Sequence, residues 1–309
     1  MNVYHSLDAF KKLDFAVVTS GTFDGVHLGH KKILNRLKEI AKSSNGESVV
    51  ITYWPHPQLI LNPENKSIKL LNTYEEREQL LREQGIDHLL RIPFTKEFSQ
   101  ITSEKFIRSI LIDQIGTKKL VIGYDHRFGK NREGSFEELK KDGPAYGFDV
   151  EEIARQDIDS IGISSSAIRK TLLQGDVETA TNLLGRPYSI SGEVVMGDQL
   201  GRTLGYPTAN IAAPPPHKLI PAEGIYAATV NVNNTKFGGM LYIGHRPTLE
   251  NKKLAIEVNI FDFNENIYGK TIQLNFVKFI RSDKKFNNLE ELKFQLARDK
   301  EAALQLIHI

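Results

Sequence analysis

The sequence contains no cysteine among its 309 residues. That absence excludes disulfides, thiol catalysis and cysteine-ligated zinc sites. An excess of one charge is also missing, because 40 basic residues face 38 acidic ones. A protein whose main partner is nucleic acid usually carries a clear basic excess. We therefore expect no nucleic-acid partner.

Long apolar runs are absent too. The longest stretch without a charged side chain, residues 48–63, contains three prolines and is too short for a transmembrane helix. The first residues include Asp8, Lys11, Lys12 and Asp14 and lack the apolar segment of a secretory signal. Because 40% of the residues are apolar, the chain can bury a core. We expect a cytoplasmic protein without a membrane partner.

The pattern of apolar residues changes near residue 186. Before it, short β-rich runs alternate with helical patterns, which predicts a parallel sheet with helices on both faces. After it, short runs separated by glycine, proline and asparagine predict an antiparallel barrel or sandwich. Leucines at helical spacing predict a helix at the C-terminal end. We predict two domains, residues 1–185 and residues 186–309.

A segment rich in glycine and histidine, GTFDGVHLGH at residues 21–30, lies between the first predicted strand and the first predicted helix. His27 and His30 are three residues apart, so they share one face of the helix start. The unpaired backbone amides and the positive end of the helix favour an anion there. The segment therefore suits a phosphate chain, and Gly29 leaves space between the imidazoles. The alternative is a solvated turn with two surface histidines.

Other phosphate-binding patterns do not fit. The glycines at residues 123–129 and 197–201 have the wrong spacing for a P-loop, and no G-x-G-x-x-G follows a predicted strand. A metal site at His27 and His30 lacks an evident third ligand.

The HxGH pattern resembles the nucleotidylyltransferase superfamily. With YWPHP at residues 53–57, GYDHRFG at 123–129 and ISSSAIR at 163–169, it resembles the FMN adenylyltransferase module of bacterial bifunctional FAD synthetases. The resemblance implies a Rossmann-like domain in which His27, His30 and Arg169 hold the phosphates of ATP. It also implies nucleotide contacts at Gly21, Phe23, Asp24, Gly29 and Ser164, and flavin contacts at Trp54, His56 and Asp125. The alternatives are an ordinary helix cap at Ser164 and a plain core position for Trp54.

A second unusual segment, GRTLGYPTAN, occupies residues 201–210. In an extended segment Thr208 and Asn210 face the same side, and their neutral oxygens suit Mg²⁺ beside a phosphate. Gly197 and Gly201 allow a loop to close over phosphates, with Arg202 adding positive charge. The alternative is an ordinary turn.

A carboxylate, Glu257, lies in an alternating apolar run at residues 255–261. Taken alone, the pattern is equally consistent with a solvated carboxylate on a strand. However, this run and residues 207–210, 224–226, 243–248, 268–269 and 279–281 resemble the riboflavin kinase module, a mainly antiparallel barrel, in the same order. The resemblance implies that Thr208 and Asn210 bind the metal-nucleotide, with Gly197, Gly201 and Arg202 as further nucleotide contacts. It implies that Glu257 accepts the proton of the riboflavin 5′-hydroxyl and that Arg281 contacts the flavin.

Together the two resemblances cover the whole chain and imply a bifunctional enzyme that needs Mg²⁺ in both steps. Riboflavin and ATP give FMN and ADP, and then FMN and ATP give FAD and pyrophosphate. Two alternatives stay open: a monofunctional enzyme, and a flavin-sensing or flavin-delivering protein without turnover. Some positions vary from the family pattern, with Trp54 and His126 in place of other aromatic residues and Asn259 where histidine is frequent. The sequence does not decide between a monomer and a homo-oligomer.

Overall fold

The computed structural model describes residues 1–65, 67–123, 127–130, 133–153, 162–197, 199–247 and 252–308. Its internal contacts divide the chain into two compact units, residues 1–165 and residues 166–309. The predicted site residue Asp125 lies outside the described residues, as do His126 and Thr248.

The first unit is built on a parallel sheet, because each strand is followed by a segment that returns over one face. The strands are β1 (Asn2–Tyr4), β2 (Ala16–Ser20), β3 (Glu47–Trp54), β4 (His88–Pro93), β5 (Thr117–Gly123) and β6 (Asp149–Ile153). Their order across the sheet is β1-β4-β3-β2-β5-β6, with parallel neighbours throughout. The chain moves outward from β2 to β3 and later crosses to β5 on the other side. Ligands bind outside the carboxyl ends of the strands at such a reversal, so the residues after β2 are favourably placed.

Helices cover both faces of this sheet. They are α1 (Leu28–Ser43), α2 (Pro57–Leu61), α3 (Tyr74–Glu83), α4 (Ser103–Lys105, continued by π-helical turns over Phe106–Ile115) and α5 (Phe136–Tyr146). Successive strand residues alternate between two apolar clusters: Val17 packs in the cluster that contains Leu34 of α1, and Val18 packs in the cluster that contains Ile110. The parallel sheet with helices on both faces is confirmed.

The start of α3 is fixed by a capping box between Thr73 and Glu76. Thr73 Oγ1 accepts a hydrogen bond from the Glu76 amide at 3.2 Å, and the Glu76 carboxylate accepts one from the Thr73 amide at 3.0 Å. Reciprocal bonds of this kind satisfy two amides that the helix cannot pair itself. The cap determines where α3 begins and hence which of its residues point toward the strand ends.

The second unit contains a closed antiparallel barrel. Its strands are β7 (Ser189–Val195), β8 (Ala209–Ile211), β9 (Gly224–Val232), β10 (Thr235–Pro247), β11 (Lys252–Ile260) and β12 (Thr271–Arg281). They follow one another around the barrel in the order β10-β11-β8-β7-β12-β9. Its helices are α6 (Ser165–Leu173), α7 (Val177–Leu184), α8 (Leu200–Thr203) and α9 (Leu289–Leu306). The predicted barrel with a C-terminal helix is confirmed.

The C-terminal helix α9 covers part of the outer surface of the barrel. Ala303 of α9 lies in one apolar cluster with Met240 and Phe261. Residues alternate between the two faces of a strand, so Ile256 and Val258 face the barrel interior and Glu257 faces outward. Among the described residues, no helix is both long enough and apolar enough to span a lipid bilayer.

Helices α6 and α7 belong to the barrel unit. The Ala222 amide donates a hydrogen bond to the Leu172 carbonyl at 3.0 Å, and Lys278 Nζ lies 3.2 Å from a carboxylate oxygen of Glu178. The contacts therefore divide the chain at residues 165 and 166, whereas the sequence pattern places a domain boundary after residue 185. The boundary after residue 185 stays a prediction, which concerns whether the two parts of the chain act separately.

Candidate active sites

The first site lies where β2 passes into α1. His27 is the N-cap of α1, and its Nδ1 accepts a hydrogen bond from the His30 amide at 3.3 Å. The two imidazole rings are stacked, with centroids 3.6 Å apart and an angle of 17° between their planes. Two imidazoles and the amino end of a 16-residue helix thus form one face with donors for an anion.

The turn that precedes α1 adopts unusual backbone angles. Phe23, Gly25 and Val26 have φ values of +48°, +89° and +39°. A left-handed backbone is rare for a β-branched residue such as Val26, and residues of this kind concentrate at functional sites. Within the turn the Phe23 ring lies against Gly21, where an added Cβ would be only 3.3 Å from the ring. The Phe23 ring also meets the His30 ring edge-on at 5.2 Å, so the turn supports the stacked imidazoles.

Asp24 has a structural role in this turn. The side chain is buried, and its Oδ1 accepts hydrogen bonds from the amides of Leu71 at 2.9 Å and Asn72 at 3.3 Å. The Asp24 carbonyl accepts a further bond from Ser165 Oγ at 2.9 Å, and the adjacent Ser164 is exposed. The carboxylate therefore ties the turn to the segment before α3. The nucleotide contacts of Asp24 and Ser164 stay predictions.

The residues predicted to meet the flavin include Trp54, the last residue of β3, and His56, which comes shortly after the strand. His56 is the N-cap of α2 and is buried, and its Nδ1 accepts a bond from the Gln58 amide at 3.2 Å. Trp54 is half-buried, and its ring lies 5.9 Å from the ring of Tyr74. Of the two, Trp54 has the side chain with accessible surface for a ligand. Its contact with flavin stays a prediction.

Arg169 lies on α6 and is partly exposed. The division between the two units falls at Ser165 and Ser166, so Arg169 is part of the second unit. Its predicted contact with the phosphates of ATP stays a prediction.

The second site is assembled by pairing of strands on the outer face of the barrel. Glu257 on β11 lies opposite Asn210 on β8, and Thr208 Oγ1 donates a hydrogen bond to Glu257 Oε2 at 3.2 Å. Side chains of directly opposite residues project from the same face, so the structure brings these three oxygen-bearing groups together. The described residues contain no group of three or more histidine, cysteine, aspartate or glutamate side chains suited to a metal.

Glycines let the loop before β8 approach this cluster closely. A Cβ added at Gly197 would lie 2.3 Å from Asn210 Nδ2, and one added at Gly201 would lie 2.3 Å from the Tyr206 carbonyl oxygen. Any side chain at either position would displace these neighbours. Arg202, at the end of the same loop, is exposed on α8. The nucleotide contacts of Gly197, Gly201 and Arg202 stay predictions.

Two residues that support the second site were not predicted from the sequence to have that role. Asn259 is buried, and its Nδ2 donates a hydrogen bond of 2.7 Å to the carbonyl of Pro207, directly before Thr208. Tyr242 lies opposite Glu257 on β10 and donates a hydrogen bond to Asp283 Oδ2 at 3.1 Å. Burial, and then the nearby Asp283 carboxylate, raise the pKa of Tyr242 to about 12, so the phenol stays protonated at neutral pH. The position of an amide two residues after Glu257 was a possible signal for Asn259. The local sequence contained no signal for the hydrogen bond between Tyr242 and Asp283.

The structure also shows what Arg281 contacts. Its Nη2 donates to Asp299 Oδ2 at 2.7 Å, its Nε donates to Asp299 Oδ1 at 2.9 Å, and its Nη1 donates to the Ser282 carbonyl at 2.9 Å. Asp299 is buried on α9 and accepts a further bond from Gln295 at 2.9 Å. The guanidinium therefore joins α9 to β12. Its predicted flavin contact stays a prediction.

We expect Arg281→Ala to lower the free energy of unfolding of the barrel unit by about 3–5 kcal/mol, because it leaves a buried carboxylate without its cation. Urea unfolding followed by circular dichroism measures the change. The matched control is Arg298→Ala, which removes an exposed arginine from α9, the helix that carries Asp299, and should cost less than about 1 kcal/mol. Equal losses for the two variants would contradict a structural role for the Arg281 ion pair.

The two units and their sites define a class of protein, a transferase with one nucleotidylyltransferase module and one kinase module. The sequence matches the FAD synthetase family over residues 10–167 and the riboflavin kinase family over residues 184–307. The chain belongs to the family of bifunctional riboflavin kinase/FMN adenylyltransferases and contains both of its modules, which confirms the family and the two activities predicted from the motifs.

Individual relatives match nearly the full chain. The bifunctional riboflavin kinase/FMN adenylyltransferase of Buchnera aphidicola subsp. Schizaphis graminum is 40% identical, over 97% of this chain and 96% of its own. The protein of the same name from Bacillus subtilis is 37% identical, over 94% and 92%. A crystal structure described as that of a macrolide-efflux protein from Streptococcus pneumoniae is 31% identical and covers 97% of both chains with a TM-score of 0.88.

Proposed function

We propose that the barrel unit transfers the γ-phosphate of ATP to riboflavin through Glu257, Thr208 and Asn210. The observation that carries the assignment is the hydrogen bond of 3.2 Å between Thr208 and Glu257, with Asn210 opposite Glu257 in the ladder. The arrangement supports the proposal of a base beside two neutral ligands for a metal-nucleotide. We propose further that Gly197, Gly201 and Arg202 line the phosphate side and that Arg281 lies toward the flavin.

In the kinase step Glu257 acts as the general base. It takes the proton of the riboflavin 5′-hydroxyl while that oxygen attacks the γ-phosphorus, and the bond from the γ-phosphorus to the bridging oxygen breaks to release ADP. Thr208 holds the carboxylate through its hydroxyl. Asn259 keeps the segment that carries Thr208 in place through its bond to Pro207.

The donor set fits Mg²⁺. Thr208 and Asn210 offer a hydroxyl and an amide oxygen, which are hard and uncharged, and Mg²⁺ typically takes few protein ligands and the rest from phosphates and water. When bound, Mg²⁺ neutralises negative charge on the phosphates of the nucleotide. The chain's own residues then orient the nucleotide and remove the hydroxyl proton.

In the adenylyltransferase step we assign phosphate binding to His27, His30 and the amino end of α1. A phosphate oxygen of FMN attacks the α-phosphorus of ATP, and the bond between the α-phosphorus and the bridging oxygen breaks to release pyrophosphate. No protein nucleophile is required, because the FMN phosphate is already an anion. The imidazoles and amides stabilise the charge that develops on the phosphates. We propose that Gly21, Phe23, Asp24, Gly29, Ser164 and Arg169 complete the nucleotide site, and that Trp54, His56 and Asp125 meet the flavin.

One incubation tests the whole assignment. The full chain is mixed with riboflavin, ATP and Mg²⁺, and chromatography follows FMN and FAD over time, with a parallel sample in EDTA. We expect FMN first, then FAD, and neither product without the metal. A single product would indicate a monofunctional enzyme. Binding of flavin without any product would indicate a sensing or delivering protein.

The ligands that follow from this proposal are riboflavin, FMN and ATP, without a nucleic-acid or membrane partner. We further propose a cytoplasmic location for the reaction, because both steps consume ATP.

The boundary after residue 185 leads to a prediction with two fragments. Residues 186–309 and residues 166–309 should both phosphorylate riboflavin, and neither should adenylylate FMN. The longer fragment should unfold at a higher urea concentration, because it keeps α6 and α7 and their contacts with the barrel unit. Circular dichroism checks the folding of each. If both fragments fold but neither forms FMN, the proposal of separately active modules is wrong.

A further inference from the structure

An arginine is buried at the start of α3, outside all the motifs discussed so far. Arg77 is only 3% exposed, although arginine is rarely buried without a partner. Its Nη1 donates a hydrogen bond to the Thr22 carbonyl, and its Nη2 donates one to the Tyr53 carbonyl at 3.3 Å. For Nε, the described residues offer no hydrogen-bond partner. The guanidinium is thus held by two backbone groups.

Those two carbonyls belong to the two segments from which the adenylyltransferase site is built. Thr22 lies in the strained turn between β2 and α1, five residues before His27. Tyr53 lies near the end of β3, directly before Trp54. Because β2 and β3 are parallel neighbours, both segments leave the sheet at its carboxyl edge. Arg77 therefore connects the histidine-bearing turn to the segment that carries Trp54.

The same guanidinium also packs against aromatic rings. Its Cζ lies 5.5 Å from the centroid of the Trp54 ring and 5.8 Å from that of Tyr74. Contacts of this kind between a cation and an aromatic face are attractive, more strongly so when water is excluded. Burial lowers the pKa of Arg77 and the nearby Asp24 raises it, but an arginine stays charged at neutral pH in either case. Burying a charge costs free energy. We therefore infer that the charge serves a role at this position that an apolar residue could not supply.

We propose that Arg77 is a positioning residue for adenylylation, which holds the Trp54 ring in place for the isoalloxazine of FMN and holds the Thr22 turn in place for the phosphates. The inference rests on the proposed contact between Trp54 and the flavin. A planar guanidinium is suited to it, since it donates in two directions and packs flat against a ring. A lysine ammonium keeps the charge but lacks the planar fork.

The test uses the full chain with Arg77→Lys, which keeps the charge and so favours folding. Trp54 is the only tryptophan in the sequence, so tryptophan emission reports on this position alone. We expect a shifted emission maximum, lower emission anisotropy and a KM for FMN raised about tenfold, the cost of one charge-assisted hydrogen bond. Phosphorylation of riboflavin by the same preparation should be unchanged. The matched control, Arg82→Lys, alters an exposed arginine on the same helix and should change none of these values.

Two outcomes would overturn the proposal in different ways. If folded Arg77→Lys has the emission and the KM for FMN of the unmodified chain, while Trp54→Ala raises that KM, then Trp54 contacts the flavin but Arg77 does not position it. If Trp54→Ala leaves the KM for FMN unchanged, the proposed flavin contact of Trp54 fails and the role of Arg77 fails with it. An Arg77→Met variant fills similar volume without hydrogen-bond donors. If the two bonds to carbonyls matter, its KM for FMN should rise further than that of Arg77→Lys.

Discussion

Glu257→Gln is expected to lower the rate of riboflavin phosphorylation by roughly 10²–10⁴-fold, the usual contribution of a general base. The amide is nearly isosteric with the carboxylate and still accepts the Thr208 hydrogen bond, so the local packing should survive. It cannot take up the proton of the 5′-hydroxyl. Adenylylation of added FMN should continue at its original rate, because its nucleophile is already ionised. Chromatography of both reactions on one preparation measures the two rates.

A matched variant controls for the loss of one negative charge in this experiment. Glu193→Gln removes an exposed carboxylate from β7 and should leave both rates unchanged. Full riboflavin turnover in Glu257→Gln would mean that Glu257 is a solvated strand residue and that another base is used. Equal losses in both reactions would point to damaged folding instead, which the circular dichroism spectrum detects.

The second large effect is expected from removing both imidazoles at the start of α1. His27→Ala combined with His30→Ala should reduce FAD formation by at least 10²–10³-fold, since one lost contact to a transition-state charge typically costs about 3–4 kcal/mol. Riboflavin phosphorylation should persist. Chromatographic assay of FMN to FAD and of riboflavin to FMN gives both numbers. Unchanged adenylylation would return the histidines to the solvated-turn interpretation.

A further variant tests whether the site needs His27 as a helix cap or for its imidazole. His27 caps α1, so its loss also costs about 1 kcal/mol of helix stability. His27→Asn keeps an acceptor suited to an N-cap but lacks the imidazole. We expect normal unfolding by urea and reduced adenylylation. Full adenylylation in this variant would show that the cap, rather than the imidazole, is what the site requires.

The first site was accessible from the sequence because its geometry is local. A strand, a turn and a helix follow one another within residues 16–43, and the period of the apolar residues marks each of them. The spacing of His27 and His30 then determines that they share a face. What spacing does not show is the partner of each side chain. Asp24 is an example, since its carboxylate binds amides 47 and 48 residues further along the chain.

The second site depends on long-range pairing that the local pattern does not contain. Thr208 and Glu257 are 49 residues apart, and β8 is too short to show an alternation of its own. Only the resemblance to riboflavin kinases placed them in one site. The same limit applies to α6 and α7, because an amphipathic helix shows that one of its faces is buried but not which domain buries it. Asp299, the partner of Arg281, lies on a helix whose docking is equally non-local.

The shortness of β8 has a consequence for how the kinase activity depends on assembly. Only two pairs, Glu257 with Asn210 and Val258 with Ala209, join β8 to β11. A slip of one residue in this register would turn the Asn210 amide toward the barrel interior, away from Glu257. Glu257 and Asn210 are thus neighbours only when β8 and β11 have paired in the correct alignment. Phosphorylation of riboflavin is therefore an indicator of completed folding, and a change of loop length between residues 211 and 252 is tolerated only if it preserves that alignment.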